Sequence, residues 1–199
     1  MSDILFGGSF DPPGIHHECV VGALHDIRDI PNPHVTVIPC GSQRQDKRIR
    51  TTPEHRTNLC ELAFKRFAST HLDVTDLRAG RYSPLIELDT RYGGKERTDL
   101  YHVVGSDLVI GGKDGRSEIQ LTWKAGPFIW TSLRYIVVER PGYPLDGLDL
   151  PPQCEHVIPL HVDGASKIIR ERIEAGLPFN DLVSQGVWDY ICTHRLYGY

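Results

Sequence analysis

Cysteine is sparse in this chain of 199 residues: its five cysteines, Cys19, Cys40, Cys60, Cys154 and Cys192, form no C-x-x-C pair. An odd number without paired spacing argues against a disulfide framework and a zinc ribbon, and suits a reducing cytosol. An excess of one charge is also lacking. The 22 Lys and Arg against 26 Asp and Glu leave a formal charge of −4, so no global basic field draws nucleic acid. No apolar run approaches a membrane span, and Ile4-Leu5-Phe6 is too short and too soon broken by glycine to be a signal peptide. There is no internal repeat and no low-complexity tract. The expectation is one soluble, cytoplasmic domain over residues 1–199, helices at 164–196 included, with an ordinary 40% hydrophobic and 24% charged content.

What is present is an alternation. Short β-rich runs end at Gly or Pro: residues 4–6, 34–38, 72–75, 100–104, 135–138 and 156–158. Such runs suit strands buried on both faces of a parallel sheet. Helical patterns lie between them. Residues 17–27 place Val20, Val21, Leu24 and Ile27 on one face. Pro53 opens a helix that Thr52 caps, with Leu59, Leu62, Ala63 and Phe67 as its stripe. Residues 166–175 stop at Gly176, and 183–191 form a last helix. The Pro/Gly/Asp-rich stretch 141–152 reads as a surface loop, and Gly111–Gly115 as a turn. The pattern predicts an α/β fold, a doubly wound parallel sheet of five to six strands.

Gly7-Gly8-Ser9-Phe10-Asp11-Pro12-Pro13 follows the first strand and leads into the helix that carries His17. Its glycines let backbone N–H groups approach phosphate oxygens, and the helix adds the positive end of its dipole. It is neither a Walker loop nor G-x-G-x-x-G, and on glycines alone a tight strand-to-helix turn explains it better. Gly105-Ser106-Asp107 and Arg140 also follow strands, which puts them at the same sheet edge. Arg170 lies in the first turns of a helix, where a cation is unfavourable unless an anion offsets it. Asp107 can hold a ribose hydroxyl or a metal, or cap a helix. Trp123 can stack on a pyridine ring or fill core. Lys47 sits in the charge run 44–50, either solvated or on phosphate.

The order Gly-Gly-Ser-Phe-Asp-Pro-Pro followed closely by histidine resembles the nicotinate/nicotinamide mononucleotide adenylyltransferases, of the H-x-G-H nucleotidyltransferase superfamily. The resemblance runs through most of the chain. Pro39-Cys40-Gly41 with Lys47, His55-Arg56, Gly105-Ser106-Asp107, Trp123, Arg140-Pro141-Gly142-Tyr143 and Arg170-Glu171-Arg172-Ile173 fall in the family's order. Three places depart from it. H-x-G-H reads Gly14-Ile15-His16-His17, with glycine for the first histidine and histidine for the inner glycine. Residues 164–170 keep Ser166 and Arg170 but put Lys167 where the family has threonine. The Ser-Tyr-Thr of the substrate loop reads Arg81-Tyr82-Ser83.

The resemblance implies a Rossmann-like sheet of nucleotidyltransferase type. It implies adenylyl transfer from ATP, with Mg²⁺, to nicotinate or nicotinamide mononucleotide, giving the dinucleotide and pyrophosphate in NAD biosynthesis. His17, Lys47 and Arg170 are then catalytic. Gly7, Gly8, Ser9, Phe10, His16, Gly105, Ser106, Asp107, Arg140 and Ser166 hold ATP, and Ser83 and Trp123 hold the acceptor. No residue is assigned to a metal. The partners are small molecules, neither nucleic acid nor membrane, and a homo-oligomer is left open. Two other readings remain: an adenylyltransferase for another phosphorylated metabolite such as phosphopantetheine, and a degraded nucleotide-binding regulatory protein.

Overall fold

The computed structural model describes residues 2–41, 49–162 and 164–199. Six strands form one sheet: β1 (Ser2–Gly8), β2 (Pro33–Pro39), β3 (Thr70–Leu72), β4 (Leu100–Gly105), β5 (Tyr135–Glu139) and β6 (Cys154–Pro159). Their order is β3-β2-β1-β4-β5-β6, and each neighbouring pair is parallel. This is the doubly wound sheet that the alternating pattern predicts. Period-2 alternation divides its side chains between two layers. Ile4, Phe6, Val35, Val37, Val103, Ile136 and Val138 face one cluster. Leu5, Ile38 and Leu100, and Val104, Tyr135 and Val137, face two smaller clusters on the other side.

The larger cluster is covered by α1 (Ile15–His25), α2 (Pro53–Phe64), α7 (Ser166–Glu174) and α8 (Gln185–Thr193). Thr52 caps α2 as expected, its Oγ1 accepting the His55 N–H at 3.3 Å. α7 ends in a Schellman motif: Gly176 at φ +66° donates to Ile173, and Leu177 donates back to Arg172 at 2.8 Å.

Two expectations need correction. The third strand lies at 70–72 rather than 72–75, because the Asp73 carboxylate takes the Thr75 N–H at 2.9 Å and turns the chain into α3 (Thr75–Arg78). The sequence pattern also left the spans around β4 without helices. α4 (Leu85–Arg91), α5 (Glu118–Thr122) and α6 (Gly126–Ser132) fill them.

The sheet reverses its winding between β1 and β4. A crevice opens there, beyond the carboxyl ends of the strands, and it places Gly7, Gly8, Gly105 and Arg140 side by side.

Candidate active site

Over that crevice lies a cavity of about 550 Å³, within the range of small-molecule sites. Every candidate residue within the described part of the chain lines it except Ser106. Lys47 falls outside the described residues.

The floor is the turn after β1. Phe10 takes φ +43°, and its wholly buried ring packs edge-on against Phe6 and Phe64. That ring folds over Gly8, where a Cβ would come within 2.8 Å of it, so residue 8 must be glycine. Phe10 thus anchors the turn in the core and offers a ligand no side chain. The turn delivers the chain to α1, whose third residue is His17. The His17 Nδ1 accepts the Gly14 N–H at 3.1 Å, which leaves the ring proton on Nε2 as a donor. Beside it the His16 ring lies at a centroid distance of 3.8 Å.

The second wall comes from the ends of β4 and β5. Arg140 pairs with Asp107 at 2.9 Å. Gly105 makes room for this pair, since a Cβ there would meet Asp107 Oδ1 at 2.3 Å. Ser106, expected to touch the nucleotide, is instead fully buried behind the wall, and its Oγ accepts the Arg140 N–H at 3.0 Å. Trp123, half-buried at the end of α5, lines the far end of the cavity.

The third wall is the start of α7. Arg170 donates to the Asp11 carbonyl, and the Ser166 hydroxyl donates to the Pro12 carbonyl at 2.8 Å. Both residues line the cavity while fastening the floor. Lys167, which stands where the family has threonine, lines it too. Arg50, Arg140, Lys167 and Arg170, with two histidines, therefore line the space together with the carboxylates Asp11, Asp76 and Asp107, each of which already accepts from the protein. Such a balance accepts polyanions.

No protein-family model matches the chain. A "Probable nicotinate-nucleotide adenylyltransferase" of Kineococcus radiotolerans is 30% identical, over 96% of this chain and 88% of the relative. The chain belongs to the nicotinate-nucleotide adenylyltransferase family. A protein of the same name from Leifsonia xyli subsp. xyli is 28% identical over 97% of this chain and 92% of its own length. The fold likewise matches a Plasmodium falciparum nicotinic acid mononucleotide adenylyltransferase complexed with NaAD. That match has a TM-score of 0.75 and 23% identity, and covers 99% of this chain and 98% of the other.

The site is held together by residues outside the candidates named from the sequence. Asp11, 1% exposed, accepts from the Arg50 N–H at 2.7 Å, Thr51 Oγ1 at 2.6 Å and Tyr197 Oη at 2.9 Å. Burial and the Asp11 charge push the Tyr197 phenol well above its ordinary range, so it stays a donor. Arg56, also 1% exposed, donates to the Ser9 carbonyl. A signal for it existed. Arg56, Leu59, Cys60 and Ala63 share helical spacing and are all buried, so an arginine occupies a core position of an apolar stripe.

The wall expected to hold the acceptor is also built on one carboxylate. Asp76 takes the Ser83 N–H at 3.1 Å, Arg81 Nε at 3.0 Å and an Arg91 nitrogen at 2.7 Å. The Ser83 hydroxyl accepts from Arg91 at 2.8 Å. Gly41 closes this loop from beneath, because a Cβ there would strike the Arg81 backbone at 2.3 Å. Burial alone would raise Asp76, but the hydrogen bonds from Arg91, Ser83 and Arg81 outweigh it and hold the carboxyl below its usual range. A depressed folded-state pKa adds stability that is full above the unfolded value, near 4, and is lost as pH falls through the lower folded value. Asp76→Asn is therefore expected to melt below wild type at neutral pH, with the gap narrowing below about pH 4. Thermal melts across pH 2–7 check this; a gap constant with pH would refute it.

Proposed function

We propose that this chain transfers the adenylyl group of ATP to nicotinate mononucleotide, releasing pyrophosphate, as one domain spanning residues 1–199. What supports the reading is the convergence of the turn after β1, the ends of β4 and β5, and the start of α7 on one cavity, where Lys167, Arg170 and two histidines stand beside the turn. The acceptor's 5′-phosphate is already anionic, so attack on the α-phosphorus needs no protein nucleophile. The α-phosphorus bond to the acceptor oxygen forms as the bond to pyrophosphate breaks, in line. Catalysis is then positioning and charge neutralisation.

The backbone of Gly7 to Phe10 seats the phosphates, and His17 Nε2 donates to charge developing on them. Arg170, Ser166, His16 and Lys47 complete the phosphate contacts. Asp107 and Arg140 face the nucleoside, and Trp123 with the Ser83 loop faces the pyridine. Among the described residues no three His, Cys, Asp or Glu side chains are grouped to hold a metal. Mg²⁺ would enter with ATP, held by the triphosphate oxygens, and would neutralise their charge. The free state of all five cysteines supports a cytoplasmic setting.

The test is pyrophosphate release from MgATP with nicotinate mononucleotide, nicotinamide mononucleotide and phosphopantetheine offered singly. Release is expected with nicotinate mononucleotide above the other two. Preference for phosphopantetheine would replace the acceptor. Binding of MgATP without release in any arm would favour a regulatory protein.

A further inference from the structure

We infer that His16 is a phosphate-binding residue of the ATP site and that positions 14 and 16 form an exchangeable pair, with one imidazole and one glycine. The inference rests on the adenylyl-transfer reading and deepens it. Adjacent helical residues point about 100° apart, so His16 and His17 would ordinarily diverge. Here the two rings lie 3.8 Å apart between centroids, both lining the cavity at the positive end of α1.

Two glycines make this possible. A Cβ at Gly14 would meet His16 Nδ1 and Cε1 at 2.8 Å, and a Cβ at Gly164 would meet Nδ1 at 2.7 Å. Gly14 is not there for its backbone: it is extended, at φ −121° and ψ 173°, a conformation any residue adopts. The shared feature of both glycines is the His16 ring, only 8% exposed, which fills the volume that side chains at 14 and 164 would take. The family pattern places histidine at 14 and glycine at 16. This chain has the reverse, and the ring of residue 16 occupies the space above residue 14. In this chain the imidazole stands beside the turn after β1 from position 16.

Four proteins test this: wild type, His16→Gly, Gly14→His and the double variant. kcat and KM are measured with MgATP and nicotinate mononucleotide, and binding of a non-hydrolysable ATP analogue by calorimetry. His16→Gly is expected to lose about 10–100-fold in kcat/KM and to bind the analogue more weakly. Gly14→His is expected to be impaired by collision with the His16 ring, and the double variant to recover to within about fivefold of wild type. Ile169 Cδ1 also lies 2.9 Å from a Cβ at position 14, so the double variant is repeated with Ile169→Val, which clears it. Wild-type kcat/KM and analogue binding in His16→Gly would overturn the inference. So would double variants that melt normally yet remain as poor as His16→Gly. Should Gly14→His fail to fold, His16→Gly and the doubles still decide. Should wild type release no pyrophosphate, the adenylyl-transfer reading fails, and analogue binding still tests His16.

Discussion

His17→Ala is expected to lower kcat by about 10²–10³, with a smaller change in KM for ATP. The direction follows from the proton on Nε2. Because Nδ1 is taken by the Gly14 N–H, the ring presents its other nitrogen as a donor at the end of α1. In the proposed reaction negative charge grows on the departing pyrophosphate as its bond to the α-phosphorus breaks. A donor fixed beforehand in a cavity gains most at that moment, because it need not reorient. The same substitution opens the α1 cap, so part of the loss could be structural. His17→Asn separates the two effects. It can still accept the Gly14 N–H but places its own donor differently, so it should melt near wild type while remaining slow. Steady-state kinetics with thermal melts measure both. Turnover of His17→Ala near wild type would remove the residue from the mechanism.

Asp11→Ala is expected to reduce both stability and catalysis. Three donors converge on this buried carboxylate, and each would lose its acceptor. At about 1–3 kcal/mol per orphaned group, tempered by relaxation and by water reaching the partly exposed donors, the cost is roughly 3–5 kcal/mol. For a domain of this size that lowers Tm by roughly 6–20 °C. The turn after β1 would also lose its ties to residues 50–51 and to Tyr197, and a displacement of about 1 Å there would cost on the order of 10² in kcat/KM. Tyr197→Phe removes one of the three bonds and should cost about 1 kcal/mol. Calorimetry and kinetics on the two variants check the pair. Equal effects from both would contradict the view of Asp11 as the point where three segments meet.

The sheet was legible because its strands are short apolar runs closed by Gly or Pro, a local signal that survives burial on both faces. α1, α2, α7 and α8 were legible for the same reason, each spanning enough turns to show a stripe. α3, α5 and α6 span four, five and seven residues, and no periodicity can declare itself over so short a stretch. The turn from Gly7 to Pro13 announced itself through its order of residues. Its fastening did not, since the partners of Asp11 lie 39, 40 and 186 residues away. Separations of that size leave no trace in spacing. Arg56 differs, because its misfit within an apolar stripe is visible before any contact is known. His16 lies between these cases. Its exchange with position 14 could be seen in the motif, but not that the distant Gly164 would leave room for its ring.

The attachment of Asp11 to Thr51 and Tyr197, and of its backbone to Arg170, also governs how the molecule opens. Local unfolding usually proceeds in cooperative units, some far less stable than the whole. Here the C-terminal elements cannot detach without releasing the turn on which the nucleotide would rest. Fraying of α7 and the segment after α8 is therefore the same event as loss of the binding surface, and whatever binds that surface protects both from exchange with solvent.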